Sequence, residues 1–146
     1  RHGAEGGEQL VVWAPGGWEL PLTARTVLAN QTGLDGVIVL GCVMKGATSH
    51  NEYIAAEVAK GLAQVAMEAK VPVTFGVLTP ASLEQALERS GLKMGNKGSE
   101  AAEAAIEMVS LIRLFGVPGR PFCDHLLLEE KKVTRLSVAV LPFLPW

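Results

Sequence analysis

The sequence predicts an α/β fold: a parallel sheet with helices on both faces. Short β-branched runs without polar interruption, such as Val37-Ile38-Val39-Leu40, are the mark of strands buried on both sides. Between them lie stretches with apolar residues at helical spacing. Strand and helix alternate along the chain, which is the pattern of parallel sheets joined by crossover helices. The 146 residues, 49% of them hydrophobic, suit one domain with a real core.

Leu10-Val11-Val12-Trp13 is the first strand-like run, broken by Pro15-Gly16-Gly17. From Trp18 to about Asn30, Leu20, Ala24, Val27 and Leu28 recur at helical spacing, and Thr32-Gly33 ends that helix. The strand around 37–40 follows. Thr48 or Ser49 opens a second helix, with Ser49 and Glu52 at capping-box spacing, and Ile54, Val58, Leu62 and Val65 form its stripe. Val73 to Leu78 is the next strand. A third helix is expected to start at Thr79-Pro80, with Thr79 as N-cap, and to turn Leu83, Ala86 and Leu87 inward before Gly91 stops it. Asn96 to Gly98 leads into a last long helix with Ala105, Met108, Val109 and Ile112 on one face, ended by Gly116 and Pro118. Chirality makes the connections right-handed. Three strands are few for so many helices.

The natural division is a domain over 1–115 and an unassigned apolar tail over 116–146. In the tail, Leu126-Leu127-Leu128 precedes the charged Glu129-Glu130-Lys131-Lys132, and 136–141 is strand-like. That stretch suits a sheet edge or a sticky unpaired end.

Composition excludes several function classes. The net charge is −2 with no basic block, unlike a nucleic-acid surface. No apolar run reaches the roughly 20 residues that span a bilayer, so no membrane role is expected. Cys42 and Cys123 make no disulfide framework or metal-ligand spacing, and a reducing compartment, the cytosol by default, suits them.

The residues with chemical promise gather at Gly41-Cys42-Val43-Met44-Lys45-Gly46-Ala47-Thr48-Ser49-His50, between a buried strand and a helix start. Ligands of open parallel sheets bind beyond the carboxyl ends of the strands. Free N–H groups and the positive dipole end at a helix start favour phosphate, and Gly46 admits an anion close to the backbone. The same segment also suits an ordinary strand-to-helix turn. His50, in the first helical turn, is placed to accept a proton, or it is simply an exposed histidine. Arg89 and Lys97 sit at segment ends where a cation meets phosphate or carbonyl, or where it is merely solvated. Glu100 begins the last helix, where it equally complements the dipole.

Five blocks in order resemble the lumazine synthase family. Pro15-Gly16-Gly17-Trp18-Glu19-Leu20-Pro21 is similar to its PG(S/A)(W/F)E(I/L)P element. The stretch Gly41 to Tyr53 is similar to G-V-(V/L)-I-(R/K)-G-x-T-x-H-F-(D/E)-Y. Phe75-Gly76-Val77-Leu78-Thr79 carries FGVLT, 84–91 resembles EQAxxRAG, and Gly95-Asn96-Lys97-Gly98 with Glu100-Ala101-Ala102 carries GNKGxEAA. The resemblance covers about residues 1–114.

The resemblance implies a flavodoxin-like three-layer α/β/α fold with a parallel sheet, here lacking the family's first strand, and a homopentamer or sixty-subunit shell. It implies condensation of 5-amino-6-(D-ribitylamino)uracil with 3,4-dihydroxy-2-butanone 4-phosphate in riboflavin biosynthesis. Small-molecule substrates, no cofactor and no metal go with it, in the cytosol or, in a plant, the plastid. It makes His50 the proton-transfer residue and gives phosphate to Gly46, Ala47 and Thr48, with Arg89 from a neighbouring subunit. Trp18 and Glu19 would lie along the ribityl chain and ring, Phe75 would line the pocket from the neighbour, and Lys97 would contact the substrates. Glu100 would orient the His50 and Arg89 region. The alternative is an assembly or ligand-binding subunit with little or no turnover.

Three departures stand out. The family's first strand, which ends in an RFN-like aromatic, has no counterpart ahead of Arg1. Asn51 replaces the usual Phe, and the tail beyond Arg113 is unfamiliar. The tail's 136–141 run followed by Phe143 has the rough pattern of the missing strand and its aromatic. It is read either as a substitute for that strand, as in a permuted chain, or as an unrelated ending.

Overall fold

The computed structural model describes residues 9–115 and, for the backbone, 136–140. The readings of 1–8, of Cys123, of 126–132 and of Phe143 lie outside the described residues. In chain order the elements are β1 (Leu10–Trp13), α1 (Leu20–Asn30), β2 (Gly36–Cys42), α2 (His50–Glu68), β3 (Val73–Leu78), α3 (Leu83–Arg89), α4 (Lys97–Phe115) and β4 (Leu136–Val140). The four strands form one sheet in the order β1-β4-β2-β3, and every pairing is parallel.

This order explains which helix lies on which face. From β1 to β2 to β3 the chain moves one way across the sheet, so right-handed crossovers put α1 and α2 on one side. The return to β4 reverses direction and puts α4 on the other. The core agrees. Val37 and Val39 of β2 pack with Leu20 and Ala24 of α1 and with Val58, Leu62 and Val65 of α2. Between them in sequence, Ile38 turns to the opposite side and packs with Ala101 and Ala105 of α4, with Leu40 beside it. The fold is the three-layer flavodoxin-like one. In the flavodoxin-like order 2-1-3-4 the second place in the sheet belongs to the chain's first strand. Here the last described strand holds it, so the strand-like stretch of the tail lies in the middle of the sheet.

The helices pack closely where small residues allow it. A Cβ on Gly61 of α2 would stand 2.9 Å from the Cβ and Cγ of Pro21, so α1 and α2 touch there backbone to ring. Farther along, Arg25 in the middle of α1 and Glu68 at the end of α2 form an ion pair of 2.7 Å, which is about half exposed on both sides and worth under ~1 kcal/mol. On the other face, a Cβ on Gly76 of β3 would meet Leu40 Cδ2 at 2.6 Å and Ala101 Cβ at 3.2 Å. Helix α4 therefore rests directly on the β3 backbone. It runs antiparallel to β2. Gly98 lies near Leu40 at the carboxyl half of the strand. Arg113 reaches Asp35, just ahead of the strand, at 2.5 Å.

Three expectations need correction here. Helix α3 starts at Leu83, not after Thr79. Pro80 is buried, and its carbonyl accepts the Lys45 amide at 3.0 Å, which ties it to the neighbouring loop. Ser82 caps the helix instead, its hydroxyl accepting from the Gln85 amide at 3.3 Å, while Gln85 Oε1 accepts from the Ala81 amide at 2.8 Å. Leu83 and Leu87 do not face inward: they are 51% and 46% exposed, and only Ala86 of α3 is buried. On α4 the buried stripe is Ala101, Ala105 and Val109, with Met108 and Ile112 left at its margin.

Gly76→Ala is expected to destabilise the protein by about 1–3 kcal/mol through overpacking, read as a lower thermal midpoint. Gly61→Ala is expected to fail to stabilise despite a gain in helix propensity of about 1 kcal/mol, because the Pro21 ring cannot move aside.

Candidate active site

Since all strands are parallel, the loops after β1, β2 and β3 leave from one edge of the sheet. Trp18 and Glu19 belong to the loop after β1. Trp18 is exposed, and the Glu19 carboxylate folds back over Gly16, where a Cβ would meet Glu19 Oε2 at 2.9 Å. The loop after β2 carries Gly46, Ala47 and Thr48 and runs into His50, the first residue of α2.

The β2 loop is firmly held at its root. The Val43 amide donates to the Leu78 carbonyl at 2.7 Å and the Lys45 amide to Pro80. Beyond Lys45 the ties stop. Among the described residues, no amide from Gly46 to His50 donates to a carbonyl or side chain. The space that a Gly46 side chain would fill is open. Ser49 stands at the N-cap, but its hydroxyl caps nothing, so the capping box expected with Glu52 is not made. The result is a run of unspent, exposed N–H groups at the positive end of a 19-residue helix, with an imidazole in its first turn. Cys42, at the root, is a partly buried thiol; burial pushes its pKa up, which keeps it a poor nucleophile.

Arg89, Lys97 and Glu100 gather at the α3–α4 junction. One residue, which sequence reading noted only as part of a helix lead-in, organises that junction. Asn96 Oδ1 accepts from the Gly98 and Ser99 amides at 3.0 and 3.1 Å, capping α4, while its Nδ2 donates to the Ser90 carbonyl at 3.1 Å. An asparagine just ahead of a helical run was the available signal. Gly91 and Gly95, at φ of +125° and +84°, make the tight turn between the helices. Lys97 Nζ and Glu100 Oε2 form an ion pair of 2.5 Å. Among the described residues, Glu100 makes no hydrogen bond or ion pair with His50 or Arg89, and Arg89 makes none with the β2 loop.

Phe75 stands apart from both groups. It lies mid-strand on β3, level with Val39, on the outermost of the described strands, and is 47% exposed. A shallow groove lined by Leu83, Leu87 and Leu92 lies along α3 and contains none of the candidate residues. Within one subunit, then, Trp18, Glu19, Gly46, Ala47, Thr48 and His50 stand on loops at the carboxyl edge of the sheet, and Arg89, Lys97 and Glu100 gather at the α3–α4 junction, on the side where Gly98 approaches Leu40, with no described hydrogen bond or ion pair between the two groups. No described contact joins Phe75 to either.

Asn51, in the first turn of α2, has a buried Oδ1 without a hydrogen-bond partner among the described residues. The departure flagged from sequence therefore carries a real desolvation cost. Among the described residues no cluster of His, Cys, Asp or Glu suits a metal ion, and no helix is long and apolar enough to cross a membrane.

A parallel sheet between two helix layers, with an open loop leading into a helix at its carboxyl edge, defines a flavodoxin-like α/β protein. A family model described as 6,7-dimethyl-8-ribityllumazine synthase matches residues 1–113. The chain belongs to that family, whose work is transferase chemistry in riboflavin biosynthesis.

Asn51→Ala is expected to raise stability by about 1 kcal/mol, by removing the unsatisfied oxygen and improving helix propensity, as measured by urea unfolding. Asn96→Ala should cost about 1–2 kcal/mol through the lost cap.

Proposed function

We propose that the chain is a lumazine synthase, condensing 5-amino-6-(D-ribitylamino)uracil with 3,4-dihydroxy-2-butanone 4-phosphate. The observation that carries this reading is the row of unpaired amides from Gly46 to His50 at the start of α2. Those amides and the Thr48 hydroxyl suit the phosphate of the butanone, which they hold by charge-assisted hydrogen bonds. His50, at the end of the same row, lies within a turn of the bound group and moves protons as the uracil amine attacks the ketone, water leaves and an imine forms. Elimination of phosphate then leaves an enol that tautomerises to a new carbonyl at the neighbouring carbon, and the ribityl-bearing amine closes on that carbonyl with loss of a second water to complete the ring. Trp18 and Glu19, on the adjoining loop, line the path of the ribityl chain.

The second half of the site comes from another copy. Arg89, Lys97, Glu100 and Phe75 make no described hydrogen bond or ion pair with the amide row, and Phe75 lies on β3, the outermost of the described strands. A neighbouring subunit docked at the carboxyl edge would bring an Arg89 to the phosphate and a Phe75 against the ring. Exposed Phe75, Leu83, Leu87 and Leu92 supply apolar surface for such a ring of subunits. A homopentamer, alone or within a larger shell, fits the family.

A second reading, a subunit that assembles and binds with little turnover, is favoured by one observation. Of the ten candidate residues only Glu19 is even half-buried in the single subunit. Turnover of the two substrates decides between the readings.

Purified protein is expected to form the lumazine, followed by its absorbance. His50→Ala should lower kcat by about 10²-fold or more, as for loss of a proton-transfer group. Arg89→Ala should act mainly through KM for the phosphorylated substrate, by about tenfold or more, in keeping with a lost charged hydrogen bond. A folded, assembled protein with no turnover would favour the second reading.

A further inference from the structure

The strand that completes the sheet comes from a part of the chain beyond the family match. The match ends at residue 113, whereas β4 spans Leu136–Val140. Its position is internal. The whole ladder of β1 runs to β4, from Leu10 level with Ser137 to Trp13 level with Val140. The other edge of β4 pairs with β2, from Gly36 level with Leu136 to Leu40 level with Val140. β1 and β2 do not pair with each other. Without β4, β1 has no described strand partner. Adjacent strands lie about 4.7–4.9 Å apart, so β4 fills a gap of roughly 10 Å between β1 and β2.

Chain path and residue type both fit this slot. Helix α4 ends at the amino edge of the sheet, where Arg113 meets Asp35, and β4 begins at that same edge, level with Gly36. The end of α4 and the start of β4 thus lie at the same edge of the sheet. Leu-Ser-Val-Ala-Val is an apolar, β-branched run with small residues level with Val37 and Val39, and α1 packs against β4 as well as β2.

The two loops of the candidate site leave from β1 and from β2. We infer that β4 is the positioning strand of that site: lodged in parallel between β1 and β2, it sets the distance from the Trp18–Glu19 loop to the amide row of Gly46–His50. A ligand that spans both loops meets them together only while β4 is in place. The ligand half of this inference rests on the proposed site. The structural half rests on the strand order alone.

The test uses the full chain. In a Cys42→Ala, Cys123→Ser background, Val11→Cys and Val138→Cys occupy register partners on β1 and β4. Mild oxidation is expected to join them within one chain, seen as an unchanged chain mass under denaturing, non-reducing conditions, and to raise the thermal midpoint. No disulfide, or one only between chains, overturns the inference. Separately, Ala139→Pro removes ladder bonds from an internal strand and is expected to lower the thermal midpoint and weaken binding of inorganic phosphate by about tenfold or more. An Ala139→Pro protein that melts and binds as the parent does overturns it as well. If the parent itself binds no phosphate, the proposed site fails, and the disulfide and thermal results still decide the placement of β4.

Discussion

The alternating burial of β2 is the constraint on which the other elements depend. Val37 and Val39 are sealed by α1 and α2, and Ile38 is sealed by α4. A strand buried on both faces cannot slip by one residue without sending each side chain into the wrong layer. Its carboxyl end is therefore a fixed point. Two further hydrogen bonds carry that fixity to Lys45, and after that, among the described residues, the amides from Gly46 to His50 donate to nothing. A rigid stem with unspent amides at its tip is what recognition of a small anion needs, because little ordering is left to be done on binding.

Much of this was legible in the sequence because it is local. The unbroken run at 37–40, the β-branched 73–78 and the helical stripes of α1 and α2 each record how one segment meets the core. The start of α3 was misread for a reason outside its own sequence. Thr79-Pro80 has the chemistry of a helix start, but the Pro80 carbonyl is engaged by Lys45 across the edge of the sheet, so the turn begins three residues later. The outward Leu83 and Leu87 were misassigned because an apolar helical stripe does not say which surface it will meet. The role of Asn96 was within reach, since its cap is local; its second bond to Ser90 was not.

The candidate site was legible in a different way. The amide row follows from strand, loop and helix order, and the family motifs named its residues. Only the resemblance, and no local pattern, assigned Arg89 and Phe75 to a neighbouring subunit. Among the described residues no hydrogen bond or ion pair joins the β2 loop to the α3–α4 junction or to Phe75, and contacts between chains leave no periodic signal. The position of β4 was one of two readings, a stand-in for the first strand or an unrelated ending, and the strand order favours the first. A short apolar run near the end of a chain suits an edge or a centre alike, and only the ladders on both of its sides distinguish them.

That ordering has a consequence for biosynthesis. A ribosome delivers β1, β2 and β3 well before the strand that belongs between the first two. During that interval the nascent polypeptide carries two open ladder edges facing an empty slot, a state prone to capture by other extended chains. Correct maturation of this protein therefore depends on how long translation keeps that slot waiting.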